Sequence, residues 1–221
     1  MSQPPPMPPW ADASPLGWRS RLRRWQFTLS PPADPWARVT TPIDWPWLLQ
    51  AAPADWRSYF SGVSTANISG LEELCAWLAA CHYVPDQECG DRCDRWMHPL
   101  QFEANRTGDC EDYALWAWRK LIELGLAAEF VVGLFEPTSG ECAVNHAWVH
   151  VHDGHRLWLL ETTAAQREQM LLPLDVARTA YLPAASIDHR LESHGFANFF
   201  HFRVKGRSMH LPAPFASIQK P

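Results

Sequence analysis

Between Cys110 and Leu124 the apolar positions recur at helical spacing. At about 100° per residue, Cys110, Tyr113, Ala114, Ala117, Leu121 and Leu124 share one face, and Gly125 is placed to end the helix. Leu115, Trp116, Trp118 and Ile122 flank that face, so the segment is apolar almost all round, as a central, buried helix must be. A second helix is expected over about residues 69–82. Ser69-Gly-Leu-Glu72 has the capping-box pattern, and Leu71, Leu74, Cys75 and Leu78 follow at helical spacing. The polar stretch from there to Gly108 reads as loop.

Downstream the pattern changes to short runs rich in Val, Leu, Phe and Trp. Residues 130–135, 145–152 and 156–163 are expected strands, and residues 199–204 a further one. Residues 137–140 carry a turn signal, and Asp153-Gly154 is a strong two-residue hairpin signal. No internal repeat is visible. The fold class these elements predict is α+β, with one buried cysteine-bearing helix packed on an antiparallel β-sheet.

Composition changes the picture at the N-terminus. Twelve of the twenty prolines fall in the first 53 residues, which excludes long helices and central strands there. Seven of the thirteen tryptophans also lie within residues 1–56, whereas disordered tails are poor in aromatics. The reading is an irregular arm over residues 1–56 that packs its tryptophans on the body, with residues 1–15 loose, followed by the main domain over residues 57–221. The chain length favours one such domain with extensions over two full ones.

The formal net charge of −5 offers no electrostatic case for nucleic acid as a partner. Arg19, Arg21, Arg23 and Arg24 form the one basic cluster, interleaved with Trp18, Leu22 and Trp25, and read as a solvated helix face in preference to a membrane- or RNA-touching arm. No stretch resembles a membrane span, and the polar, proline-rich start lacks the apolar run of about 7–15 residues that a secretory signal needs. A cytoplasmic location with no membrane partner is therefore expected. There the six cysteines, Cys75, Cys81, Cys89, Cys93, Cys110 and Cys142, stay reduced.

One cysteine stands apart. Cys110 opens the buried helix, where free backbone N–H groups and the positive end of the helix dipole favour a thiolate and an oxyanion alike. Gly108 permits a sharp entry and close approach of a substrate. A buried structural cysteine is the competing reading, and position alone does not separate the two. The hairpin does. With Asp153-Gly154 as a two-residue turn, His152 faces His155, Trp148 faces Leu159, and His146 faces Glu161. Directly opposed side chains have Cβ atoms about 5 Å apart, so an imidazole–carboxylate hydrogen bond follows naturally. The chain thus holds a base with its own orienting carboxylate, as nucleophilic catalysis requires.

Four segments carry a family likeness: Asp94-Arg-Trp-Met-His-Pro99, Gly108-Asp-Cys-Glu-Asp-Tyr-Ala114, Asn145-His-Ala-Trp-Val149 and Trp158-Leu-Leu-Glu-Thr162. Together they resemble the transglutaminase-like superfamily, and most of all the bacterial transglutaminase-like cysteine proteinases. The resemblance spans about residues 90–163. It implies a papain-like core and a Cys-His-acid triad in which Cys110 and His146 carry over directly. The acid in that family is usually aspartate. Here Glu161 holds the matching position, one methylene longer, and the strand geometry must compensate. The implied chemistry is hydrolysis of a peptide or amide bond through an acyl-enzyme, on a peptide or protein substrate and with no required cofactor. With water as acceptor the same acyl-enzyme gives peptidase or deamidase chemistry, and with an amine it gives transglutaminase cross-linking.

Asp109, Glu111 and Asp112 crowd the cysteine and, unless they point away or are neutralised, raise its pKa. In some of the proteinases resembled, acids flanking the cysteine bind calcium, so these three are candidate ligands for it, with helix capping as the simpler explanation. The oxyanion is expected to lie on the Cys110 backbone N–H and one side-chain donor, Gln101 or Trp96.

Three rival readings remain. His146, His150, His152 and His155 share a face with Glu161 and suit the zinc of a metal-dependent hydrolase. Cys81, His82, Cys89, Cys93 and His98 make a weaker zinc pattern with no second matching pair. The same fold without activity would serve as a binding module, with the tryptophan-rich arm facing a protein partner.

Overall fold

The computed structural model describes residues 34–39, 43, 52–85, 96–136 and 143–198. They belong to the second of two compact units, residues 33–221, the first being residues 1–32. Strand β1 (Arg38–Val39) comes first, followed by a 3-10 turn over Trp56–Phe60 and helix α1 (Leu71–Ala79). The helix is shorter than the expected span of residues 69–82. Its start is held by Glu73 instead of Glu72, since the Glu73 carboxylate accepts from both the N–H and the hydroxyl of Ser69.

The stretch expected to be loop contains structure. Strand β2 (His82–Tyr83) pairs in parallel with β3 (Thr107–Gly108), and between them lies helix α2 (Pro99–Asn105). His98 caps α2 by accepting from Leu100 N–H, and Pro99 fits the first turn, where a missing N–H costs nothing. Arg106 closes the helix in the left-handed region, at φ 56°.

Helix α3 (Cys110–Glu123) begins where the apolar pattern places it. Asp109 and Asp112 form a capping box at its start, and Leu124 and Gly125, the latter at φ +77°, end it. Strands β4 (Ala127–Phe135), β5 (Val144–His152), β6 (Leu157–Leu160) and β7 (Leu171–Pro173) follow. The short helix α4 (Leu174–Ala177) then leads to β8 (Tyr181–Asp188) and β9 (Ser193–Phe196). Seven strands form one antiparallel sheet in the order β1-β9-β8-β4-β5-β6-β7. The strand expected over residues 199–204 lies outside the described residues.

Both faces of the sheet are covered. Phe130, Val132, Leu134, Ala147, Val149 and Val151 pack with α3 in the larger core, while Val131, Trp148, Leu159 and Tyr181 form a second cluster with Trp36. Trp56 adds to the larger core, its ring 5.9 Å from Trp118 and 5.7 Å from Phe130. The other five tryptophans of the proposed arm fall outside the described residues. No helix among the described residues is long and apolar enough to cross a membrane.

Candidate active site

The hairpin that carries the histidine is not paired as expected. His152 faces Leu157 and Val149 faces Leu160, so the loop is the four residues 153–156 and the register is displaced by two. Asp153 causes this: its Oδ1 accepts from the N–H groups of His155 and Arg156, closing a wider turn than Asp-Gly alone would. A shift of two preserves the face, because side chains alternate with period 2. Glu161 therefore lies one step past the end of β6 and still reaches His146, with Glu161 Oε2 2.7 Å from His146 Nε2. The extra methylene of glutamate suits this diagonal approach.

Glu161 is 2% exposed and saturated with donors. Its Oε1 accepts from the Thr163 N–H at 3.0 Å and the Thr163 hydroxyl at 2.6 Å, while Oε2 also accepts from the Tyr181 hydroxyl at 2.9 Å. Burial opposes its ionisation, but His146 and the Thr163 donors outweigh that and hold the carboxyl below its usual range. The other imidazole nitrogen, His146 Nδ1, is buried and has no hydrogen-bond partner.

Cys110 is 4% exposed at the start of α3. Its thiol donates to Glu111 Oε2 at 2.8 Å, so Glu111 turns toward the cysteine and not away. Burial pushes the thiol well above its ordinary range, the charges of Glu111 and Asp109 push it further, and the Ala147 backbone N–H opposes them. That N–H belongs to the residue after His146, which sets the sulfur against the backbone of β5. His146 and Glu161 are thus joined directly, whereas the thiol is bonded to Glu111.

The three acids around Cys110 do not converge as a cation site. Asp112 is occupied in holding the chain, with Oδ1 accepting from Met97 N–H at 2.7 Å and Oδ2 from Asp109 N–H at 3.3 Å. Among the described residues, the group whose ligand atoms lie together is Asp188, Glu192 and His194. The histidine face expected to suit zinc does not assemble either. His150 Nε2 accepts from Trp148 Nε1, which occupies the lone pair a metal would need, while His146 is engaged by Glu161 and His152 Nδ1 accepts from Gly154 N–H. Of the weaker zinc pattern, the Cys81 thiol donates to the Trp77 carbonyl and His98 caps α2, while Cys89 and Cys93 lie outside the described residues. Cys75, Cys81 and Cys110 are free thiols.

The two oxyanion candidates differ in setting. Gln101 is exposed on α2. Trp96 is buried against Trp56 and Phe130, and its indole N–H has no hydrogen-bond partner. Two residues that sequence reasoning missed are Thr163 and Tyr181. Thr163 was detectable, because a hydroxyl two residues after an acid commonly closes a local hydrogen bond. Tyr181 carries no such signal, since its contact with Glu161 spans the sheet.

No family model matches the chain, and no curated protein does. Among solved structures it is similar to LapG of Legionella pneumophila, with 18% identity, 72% of this chain and 83% of that chain covered, and a TM-score of 0.45. Calcium-bound LapG is similar at 16% identity, with 76% and 82% covered and a TM-score of 0.41. The chain's own element order, with Cys110 opening the buried helix and His146 on the antiparallel strand packed against it, is the α+β arrangement of a helix on an antiparallel sheet that the sequence led one to expect.

Proposed function

We propose that the chain is a transglutaminase-like cysteine hydrolase that cleaves a peptide or amide bond, with Cys110 as nucleophile, His146 as base and Glu161 orienting the imidazole. The observation that carries this reading is the buried His146 Nε2–Glu161 Oε2 hydrogen bond, which leaves Nδ1 without a partner on the strand against which the cysteine-bearing helix packs. Glu161 fixes the tautomer with hydrogen on Nε2 and stabilises the imidazolium.

In the reaction the thiol turns from Glu111 to His146 Nδ1 and gives it the proton. The sulfur attacks the substrate carbonyl carbon, forming a C–S bond, while the oxyanion takes hydrogen bonds from the Cys110 backbone N–H and the unpartnered Trp96 indole. Collapse breaks the C–N bond, and the imidazolium protonates the leaving amine. Water then gives a proton to His146 and adds to the acyl-enzyme. The C–S bond breaks, the acid departs, and the proton returns to the thiol.

Incubation with a peptide library, read by mass spectrometry, tests this. New peptide termini that vanish with Cys110→Ser support hydrolysis. Cross-linked glutamines would reassign the acceptor to an amine, deamidated glutamines would reassign the amide cleaved to a side chain, and products that persist in Cys110→Ser would sink the assignment.

A further inference from the structure

We propose that Tyr181 is a positioning residue of this site, fixing Glu161 Oε2 so that His146 is held in one tautomer; the inference rests on the reading of Cys110, His146 and Glu161 as a catalytic set. The two ends of the Glu161 carboxylate are held differently. Oε1 is secured locally by Thr163, two residues along the same chain segment. Oε2, the oxygen that meets the imidazole, has only His146 and Tyr181 as donors. Without the phenol, the oxygen that orients the base would be held by the base alone.

Topology makes this bond non-local. Tyr181 opens β8, Glu161 follows β6, and strands β4 and β5 lie between them in the sheet. Gly133 of β4, directly opposite His146, keeps the crossing clear: a Cβ there would stand 2.7 Å from Trp148 Cη2 and also strike the Leu182 carbonyl. Trp148 in turn abuts the Tyr181 ring edge-to-face at 5.3 Å, and Phe135 packs on the same ring at 4.9 Å, so the phenol has no room to swing away. Burial and the Glu161 charge push the Tyr181 hydroxyl far above its ordinary pKa, which keeps it a donor. A saturated carboxylate in a dry site has no spare lone pair to draw it elsewhere.

The test needs no natural substrate. In the 15N-labelled full chain, the His146 ring nitrogens, assigned by their loss in His146→Gln, should report a single Nε2–H tautomer. Tyr181→Phe should give a mixture of tautomers and slow iodoacetamide alkylation of Cys110 at neutral pH about tenfold, the scale of one hydrogen bond to a charged group. In a Glu161→Gln background the same substitution should add nothing, whereas a merely structural loss would cost as much there as in the wild type. An unchanged tautomer in Tyr181→Phe, or an undiminished cost in the Glu161→Gln background, overturns the inference. If Tyr181→Phe fails to fold, 3-fluorotyrosine at position 181 keeps the shape and strengthens the donor. It should move the His146 nitrogen resonances, and resonances that stay in place would overturn the proposal. Failure of the catalytic set reads differently: Glu161→Gln and His146→Gln would then both alkylate at the wild-type rate.

Discussion

Glu111 is the residue that sets the resting state of the cysteine. A thiol that donates to a buried carboxylate is held protonated, and burial, Glu111 and Asp109 all act in that direction. Glu111→Gln removes a negative charge beside the sulfur, so the thiol pKa should fall. At neutral pH, below that pKa, each unit of decrease raises the thiolate fraction about tenfold. Iodoacetamide alkylation of Cys110 should accelerate, with its pH midpoint moved down, and an unmoved midpoint would show that Glu111 does not control the thiol. On the base side, Glu161→Gln should lower turnover by roughly two or more orders of magnitude while the fold is kept. His146→Ala should cost at least as much, and the double variant little more, because the residues act as a unit. Steady-state kinetics on a cleaved peptide would check all three, and full additivity would break the unit. The His146–Glu161 contact was readable from spacing because it depends only on parity along two strands, which the longer turn left intact. The Cys110–Glu111 contact was not, since spacing does not fix which way a neighbouring side chain turns.

At the scale of the element, α3 is placed by its first turn. Asp112 ties Asp109 and Met97 to the helix start, and Gly108 passes close enough that a Cβ would stand 2.5 Å from Asp112 Oδ2 and 2.9 Å from Met97 Cε. Gly108→Ala must displace the cap, with an expected loss of about 1–3 kcal/mol in urea unfolding, as for other forced overpacking. An unchanged midpoint would mean that the cap does not position the cysteine. This helix was legible because its apolar pattern is long and uniform, and Gly125 marks its end. Strand β8 was not. Its Leu182-Pro-Ala-Ala185 core shows no alternation, and proline argues against a central strand. Pro183 is tolerated because it sits opposite Gly133, where the β4–β8 register shifts. Helix α2 was missed for a different reason: at seven residues it is too short for periodicity to speak, and only the His98-Pro99 start announces it.

Over the whole described body, the segment from Tyr59 to Ala66 has little regular structure past its 3-10 turn, so its backbone groups need partners elsewhere. Three buried or half-buried charges on α2 and α3 supply them. Arg119 donates to the carbonyls of Tyr59, Ser61 and Gly62, and Lys120 to the Ala66 carbonyl and the Ser64 hydroxyl. Glu103 accepts from the N–H groups of Thr65 and Ala66, from the Ser64 and Thr65 hydroxyls, and from the Trp116 indole. Burial alone would raise the Glu103 pKa, but the Ser64, Trp116, Thr65 and Ala66 bonds prevail and bring it down to about 2. The sign of the consequence follows from which state takes up the proton first. An unfolded chain protonates Glu103 near the ordinary value of 4.5, before the folded one does. The stabilisation is therefore complete above that value and is lost as pH falls through about 2. Glu103→Gln should be less stable than the wild type at pH 7, and the gap should narrow steadily as acid protonates the wild-type carboxyl. Urea midpoints of the two proteins, followed from neutral pH into acid, would measure it. Parallel curves across that window would show that the charge of Glu103 does not hold this segment to the helices.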